Sequence, residues 1–249
     1  MQKIMFEHRR FWLEQAVIAR LKENTRRRVR FPKGINDKDV ESAAMGIDKK
    51  GRVYFTFSVA TRQGTEAVDV YPKYQIGEQV AIAQSYVTLL CELGVMFKRT
   101  DSGSVPVKIQ DNVDYTKGVF IIDSTRIPKE YEAIAIQAIH TKTEIIDNKM
   151  FVRADLMPHV IEITDIKAER LQDISNEDCL REGIHVHNPD TSEPRFIGYA
   201  YDATPGTNRK RWWFKTPREA FARLIDLLNG RGTWERNEWQ FAYTFKLIK

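Results

Sequence analysis

The sequence has few cysteines, and they are isolated from each other. Only Cys91 and Cys179 occur among the 249 residues, too few for a disulfide framework or a metal cage, so we expect a reducing compartment. No apolar run approaches the roughly 20 residues that a membrane-spanning helix needs. The N-terminal segment is charged and lacks the apolar core of a signal peptide, so we expect a cytoplasmic protein without a membrane partner.

Low-complexity tracts are also missing, and hydrophobic residues make up 42% of the chain. A disordered chain contains far fewer aliphatic and aromatic side chains, so the composition predicts a folded protein. A chain of this length forms one large domain or two small ones, and it buries enough apolar surface to fold without disulfide bonds.

Positive charge is concentrated at the two ends of the chain. Residues 1–33 hold ten lysines and arginines against three acidic residues, and residues 195–249 hold eleven against five. The segment between them therefore carries a net charge of −8. If the fold brings the ends together, they form one basic surface for a polyanion. The alternative is a solvated charged face without such a partner.

Apolar spacing and turn residues predict the elements of the first half. Leu13, Val17 and Leu21 recur at helical spacing, which predicts a helix over residues 7–22. A basic run at residues 25–30 follows it. The other elements that we predict in this half are a hairpin of residues 52–58 and 67–71 closed at Gln63-Gly64, and a strand over residues 80–86.

Helix-capping motifs give the clearest local signals in the second half. Ser175 predicts a short helix over residues 176–181 that ends at Gly183. A threonine-proline-glutamate cap starting at Thr216 predicts another helix, closed by Gly230. Further predictions are a helix over residues 131–139, strands over 150–152 and from 160 towards 171, and a terminal strand with Phe241, Tyr243, Phe245 and Leu247 on one face. Strands separated by unequal helices, without βαβ repeats, predict an α+β fold with a mixed barrel.

Ordered stretches of the sequence follow a family pattern. Lys22, Thr25 and Arg27 stand in a pattern close to G-x-K-x-x-T/E-x-R, with Arg20 in place of the glycine. The most specific later stretch comprises residues 163–166, 170–174 and 182–184, and further matches lie at 74–78, 150–159, 217–221, 232–235 and 239–245. Together these stretches resemble the ASCH family in its larger bacterial and phage form, over roughly half of the chain.

The resemblance implies a fold and a class of partner. It implies a PUA-like mixed β-barrel with flanking helices, as a single domain over residues 1–249 with insertions at about 34–73 and 94–148. Members of this superfamily are implicated in RNA binding, which implies RNA or a modified nucleobase as partner, without a cofactor and with the oligomeric state open. A side chain at Arg20, in place of glycine, would narrow any pocket built around a close backbone approach.

Some small bacterial ASCH proteins are hydrolases that remove an acyl group from the exocyclic amine of cytidine. The resemblance implies that Lys22, Thr25 and Glu182 would carry out this amidohydrolase reaction. A threonine hydroxyl becomes a nucleophile when a base takes its proton, and neighbouring arginines favour the neutral amine that Lys22 would need. The alternative is structural: Lys22 closes the first helix, Thr25 satisfies a turn and Glu182 lies on the surface.

Cations interleaved with aromatic residues predict nucleic-acid contacts, because phosphates bind cations and bases stack on aromatic rings. For Trp212 and Trp213 the alternative is a place in a strand core. His185 and His187 have no third ligand nearby, so we predict no metal site. A protein-interaction adaptor that uses the insertions is a third hypothesis. The candidate contact residues are Arg26, Arg27, Arg28, Arg30, Arg209, Lys210, Arg211, Trp212 and Trp213.

Overall fold

The computed structural model describes residues 1–8, 10–92, 97–100, 103–106, 128–139, 141, 145, 147–187, 198–201 and 214–249. The chain forms two compact units. The first unit consists of Met1–Phe6, Val80–Val160 and Lys249, and the second unit consists of Glu7–Gln79 and Ile161–Ile248. The expectation that the whole chain is one domain stays a prediction.

The described residues contain both strands and helices. The strands are β1 (Gln2–Ile4), β2 (Asn24–Arg28), β3 (Val40–Ile47), β4 (Val53–Thr61), β5 (Gly64–Val70), β6 (Gln79–Ile82), β7 (Phe97–Thr100), β8 (Gly103–Pro106), β9 (Val160–Arg170), β10 (His185–His187), β11 (Gly198–Ala200) and β12 (Trp239–Leu247). The α-helices are α1 (Leu13–Ile18), α2 (Tyr86–Glu92), α3 (Lys129–Ile139), α4 (Asn176–Arg181), α5 (Pro217–Asn229) and α6 (Thr233–Arg236).

The predicted α+β class is confirmed by this mixture of elements. Among the described strands, no sheet closes on itself into a barrel. None of the helices in the described residues is long and apolar enough to cross a membrane.

The first unit has a small parallel pair of strands and a helical core. Strand β1 pairs in parallel with β6, and Ile4 lies opposite Ile82. Helices α2 and α3 contribute the buried Leu89, Leu90 and Ile134 to one cluster of apolar side chains. The predicted strand over residues 80–86 ends early, because the hydroxyl of Ser85 accepts a hydrogen bond from the amide of Thr88 (3.0 Å) and starts a helix.

Two other predictions fall in the first unit. Helix α3 confirms the helix predicted over residues 131–139. The strand predicted over residues 150–152 is wrong, because Lys149–Phe151 forms a short 3-10 helix. The side chain of Asn148 accepts a hydrogen bond from the amide of Met150 (2.9 Å), which turns the chain there. Most of the second predicted insertion lies outside the described residues.

The second unit packs two antiparallel sheets on each other. In one, β12 lies between β9 and β2; in the other, β4 lies between β3 and β5. Strands β4 and β5 confirm the predicted hairpin. Aromatic side chains join the sheets: the ring centroids of Phe55 and Phe241 are 5.5 Å apart, and those of Phe57 and Trp239 are 5.4 Å apart. Strand β2, from the basic N-terminal segment, thus lies beside β12, from the basic C-terminal segment.

Helix α1 is much shorter than the helix predicted over residues 7–22. The carboxylate of Glu7 accepts hydrogen bonds from the amides of Arg10 and Phe11 (both 2.7 Å), which holds this stretch in a loop. Trp12 then adopts a left-handed conformation with φ 56°, which is not helical, so the helix starts only after it. Periodic apolar spacing cannot reveal such a backbone reversal, so the prediction extended too far.

The two capped helices are confirmed in full. Ser175 accepts a hydrogen bond from the amide of Asp178 (3.0 Å) at the start of α4. Thr216 accepts one from the amide of Glu219 (3.1 Å) at the start of α5, with Pro217 in the first turn. Strand β9 also confirms the strand predicted from residue 160 towards 171.

Candidate functional site

Helix α4 ends in a backbone motif that fixes the position of Glu182. The amide of Gly183 donates to the carbonyl of Leu180 (3.0 Å), and the amide of Ile184 donates to that of Cys179 (3.2 Å). These bonds form a Schellman motif, which needs a left-handed residue just after the helix. Gly183 provides it with φ 99°. Glu182 therefore stands at the C-terminal end of the helix, where its own backbone is held.

Lys22 binds this helix end. Its Nζ donates to the main-chain oxygen of Glu182 (2.7 Å) and to Oε2 of the same residue (2.5 Å). The amide of Glu23 donates to the carbonyl of Arg181 (2.8 Å). A helix C-terminus carries partial negative charge, so a glutamate there needs a nearby cation. Lys22 therefore stabilises the end of α4, and not the end of α1 as the structural alternative proposed.

Arg26 completes a buried ion cluster around Glu182. Its Nη1 donates to Oε1 of Glu182 (2.8 Å), and its Nη2 donates to Oε1 of Glu169 (2.5 Å). Oδ2 of Asp178 lies 3.6 Å from Nη2. The guanidinium also lies over the ring of Phe221 in α5, 5.8 Å from its centre. We call Lys22, Arg26, Glu169, Asp178 and Glu182 the ion cluster.

Burial and neighbouring charges shift the pKa values of the ion cluster in opposite directions. Burial puts the pKa of Lys22 below its ordinary 10.5, although Glu182 raises it. Burial raises the pKa of Glu182, but Lys22 and Arg26 outweigh this effect and put that pKa below its ordinary 4.5. Burial lowers the pKa of Arg26, and Glu182 and Glu169 more than restore it. Glu182 is therefore an anion at neutral pH, held between two cations.

Thr25 lies on the other face of the sheet. Successive side chains of a strand point to opposite faces, so Thr25 and Arg26 point away from each other. Thr25 is buried, and its register partner in β12 is Tyr243. The structure thus brings Lys22 and Glu182 into contact and directs Thr25 towards the aromatic face.

The predicted nucleic-acid contacts divide into three groups. Arg26 is buried and ion-paired, so it does not present a free cation to solvent, contrary to the prediction. Arg27, Arg28 and Arg30 are exposed. Arg28 forms an ion pair with Glu238 (2.8 Å), and its side chain is still 61% exposed. The candidates outside the described residues are Arg209, Lys210, Arg211, Trp212 and Trp213.

Arg20 occupies a position that suits glycine. The amide of Arg20 donates to the carbonyl of Val17 (3.0 Å), and the amide of Leu21 donates to that of Ala16 (2.8 Å), which is again a Schellman motif. Arg20 is the left-handed residue of this motif, with φ 59°. The backbone conformation explains why glycine is favoured here. Its side chain is exposed, so it lies at the surface and does not fill a buried pocket.

No metal site is found in the part of the chain that the structure describes. No group of three or more histidine, cysteine or acidic residues there could hold a metal ion. His185 and His187 lie in β10, which pairs with β11. Cys179 is buried, and burial raises the pKa of its thiol to about 12, so it is a poor nucleophile.

Sequence reasoning missed two members of the ion cluster, Glu169 and Asp178. Glu169 lies opposite Gln240 in the pairing of β9 with β12. Arg26 lies opposite Ala242 on the other side of β12, so the contact between Arg26 and Glu169 depends on the register of three strands. No local sequence pattern predicts that register. Asp178 lies in α4, and its place beside Arg26 follows from the docking of α4 on the sheet.

Comparison of the chain with protein-family models, with curated proteins and with solved structures finds no match.

Proposed function

We propose that the chain is a PUA-like ASCH domain that binds RNA or a modified nucleobase through Arg27 and Arg28 of β2 and Arg30 just beyond its end. Two observations support the family. Lys22 and Glu182, which are far apart in the sequence and belong to the stretches that carry the resemblance, are in direct contact. Arg20 stands where the family pattern has glycine, and its backbone has the left-handed conformation that glycine adopts easily. The closed barrel of that fold is part of the proposal.

The observation that carries the binding proposal is that neighbouring arginines differ in burial. Arg26 is buried in the ion cluster, whereas the side chains of Arg27, Arg28 and Arg30 are exposed, Arg28 while paired with Glu238. Among the described strands, β12 is the sole partner of β2, so β2 is an edge strand. A phosphate backbone that follows this edge binds exposed cations along it. The buried ion cluster holds the strand that presents them.

The test of this proposal is the salt dependence of RNA binding. The variant R27A/R28A/R30A removes three exposed cations, and R62A/K129A/R153A removes three exposed cations elsewhere. Each phosphate contact to a single strand contributes about 0.7 to the slope of log affinity against log salt, so we expect the β2 variant to reduce that slope by about 2. The control variant should retain most of the wild-type slope. Equal slopes for the two variants would contradict the proposal.

An amidohydrolase is the second candidate, because Lys22 and Glu182 meet in a buried place. The geometry is less favourable to it than to binding. An ammonium that donates to two oxygens of Glu182 has no lone pair with which to take a proton from a hydroxyl, and Thr25 faces the other way. We expect no turnover of N-acetylcytidine. Turnover that is abolished by Thr25→Ala, with the melting temperature kept, would establish the hydrolase instead.

The adaptor hypothesis makes a different prediction. A protein whose partner is another protein gains no stability from RNA or a nucleoside. If neither ligand shifts the melting temperature, the adaptor hypothesis gains support over the binding proposal.

A further inference from the structure

The outer face of the sheet formed by β3, β4 and β5 carries an aromatic platform. The inner face of this sheet holds Phe55 and Phe57 in the core, so alternation directs Tyr54, Thr56 and Ser58 outwards. Tyr71, just after β5, is 43% exposed, and its ring centre lies 5.7 Å from that of Tyr54. Tyr54 is the only aromatic residue among the outward positions of the three strands, and Tyr71 lies beside it.

Glycine at position 46 lets the ring of Tyr54 lie against the sheet. A Cβ atom at Gly46 would come within 2.5 Å of Cζ and 2.6 Å of the hydroxyl oxygen of Tyr54. The far end of the ring therefore occupies the space that a side chain of β3 would fill. One side of the ring rests on the backbone of Gly46, its partner in the pairing of β3 with β4. The ring is oriented before any ligand arrives, and it remains partly exposed.

Small side chains surround this ring on the outer face. Ala44 and Thr56 form the next pair along β3 and β4, and Ser42 and Ser58 form the pair after that. On the side of these four residues a flat ligand meets only small side chains. The larger neighbours are the Tyr71 ring, 5.7 Å away, and the carboxylate of Asp69, which accepts a hydrogen bond from the hydroxyl of Thr56 (2.6 Å).

The turn between β3 and β4 holds a cation against the platform. The guanidinium of Arg52 lies over the ring of Tyr71, 4.7 Å from its centre. Its Nε donates to Oδ2 of Asp48 (2.9 Å), and the amides of Lys50 and Arg52 both donate to Oδ1 of Asp48 (2.9 Å each). The turn is thus ordered by its own hydrogen bonds.

This turn is also positively charged. Lys49, Lys50 and Arg52 stand against the single carboxylate of Asp48, and all three cations are exposed. An exposed aromatic ring beside exposed cations matches one ligand class: bases stack on the ring while phosphates contact the cations. Duplexes hide the faces of their bases inside the stack, so this arrangement favours a single strand.

We propose that Tyr54, Tyr71 and the 48–52 turn form a stacking site for one or two bases of a single-stranded nucleic acid. The site is separate in sequence from the arginines of β2 and lies in the first of the two segments that the ASCH resemblance leaves as insertions. It rests on the proposed function, because both require a nucleic acid as ligand.

The experiment measures binding of a fluorescein-labelled single-stranded RNA of about 16 nucleotides, the upper end of common site sizes, by fluorescence anisotropy. Tyr54→Ala removes the ring, and we expect it to raise Kd roughly 5- to 100-fold, the usual range for one stacked base. Tyr54→Phe keeps the ring and is the matched control, so its Kd should stay near that of the wild type. Far-UV circular dichroism and the melting temperature show that each variant is folded.

Gly46→Ala is the sharper variant, because it leaves every aromatic residue in place. Gly46 has no left-handed backbone that alanine would strain, so the fold should persist. The added methyl group displaces the ring of Tyr54 from the sheet. We expect Kd to rise in the same direction as in Tyr54→Ala. Folded Tyr54→Ala and Gly46→Ala proteins with unchanged Kd would overturn the stacking site, and so would equal losses in Tyr54→Ala and Tyr54→Phe.

The same measurement separates this inference from the proposed function. If the R27A/R28A/R30A variant binds weakly while Tyr54→Ala and Gly46→Ala bind normally, the stacking site fails and the β2 proposal stands. If the two platform variants bind weakly while the β2 variant binds normally, the β2 proposal fails and the stacking site stands. If the wild-type protein does not bind the RNA at all, both proposals fail.

Discussion

The ion cluster leads to a sharp prediction for Glu182→Gln. The substitution keeps the shape of the side chain and removes its charge. Lys22 and Arg26 then lose the carboxylate that each contacts, at 2.5 Å and 2.8 Å respectively. Arg26 keeps Glu169, but no other ion pair of Lys22 is present in the described residues. The variant therefore leaves a buried ammonium facing a neutral amide.

Burial sets the size of the effect. The side chains of Lys22 and Glu182 are 3% and 5% exposed, so solvent screens their interaction little. Removing one partner of a buried ion pair typically lowers the free energy of unfolding by about 3–5 kcal/mol, because the remaining charge stays desolvated. The double variant Lys22→Met/Glu182→Gln removes that stranded charge. We expect it to cost less than the sum of its single variants, with a coupling of about 0.5–3 kcal/mol.

Urea denaturation, followed by far-UV circular dichroism, measures these free energies. Glu162→Gln is the matched control in the second unit: Glu162 pairs with Lys246 at 3.0 Å, but that lysine side chain is 58% exposed. An exposed pair contributes about 0–1 kcal/mol, so the control should unfold almost as the wild type does. If Glu182→Gln costs no more than Glu162→Gln, the claim that the ion cluster is charged and holds β2 against α4 is wrong.

Three further predictions concern single residues. Because the folded pKa of Glu182 lies below its ordinary value, its contribution is present above about pH 4.5 and is lost as the pH falls through the folded pKa; urea titrations in acid should therefore show a smaller pH dependence for Glu182→Gln than for the wild type. Arg20→Gly should leave the unfolding free energy unchanged or raise it by up to about 1.5 kcal/mol, because the left-handed backbone costs a side chain about 1–2 kcal/mol and glycine costs about 0.5–1 kcal/mol in entropy; a large loss in thermal melts would show that the Arg20 side chain itself is needed. Thr216→Ala removes the hydroxyl that accepts from the amide of Glu219 and should cost about 1 kcal/mol, whereas Thr216→Ser should restore it in the same denaturation assay.

Local chemistry was sufficient to predict the helices that begin with a capping side chain. Helices α4 and α5 follow from Ser175 and Thr216, because the hydrogen bonds that start them join residues three positions apart. Helix α1 has no such cap, and the left-handed Trp12 decides where it begins. That conformation depends on the loop packed before it, which apolar spacing does not describe.

The candidate site was predicted only in part, for a related reason. The resemblance pointed to Lys22 and Glu182, which do meet. It also pointed to Thr25, which alternation directs to the opposite face from Arg26, and the sequence contains no signal for the start of β2 that would have revealed this. Glu169 was missed because its contact with Arg26 crosses β12 and exists only in one register of three strands. Long-range pairing, and not residue type, limits such predictions.

Strand β2 contains three consecutive arginines, Arg26, Arg27 and Arg28. Attraction to the buried carboxylates alone therefore does not determine which arginine joins the ion cluster. If β2 slipped by one residue along β12, Arg27 could take the place of Arg26 and the carboxylates would still find a guanidinium. The residue that such a slip brings to the place of Lys22 is Glu23, an acid that would face Glu182. The same slip would bring Arg26 to the buried place of Thr25 and Arg30 to the buried place of Val29. Lys22, Thr25 and Val29 therefore act together to distinguish the native alignment from the slipped one.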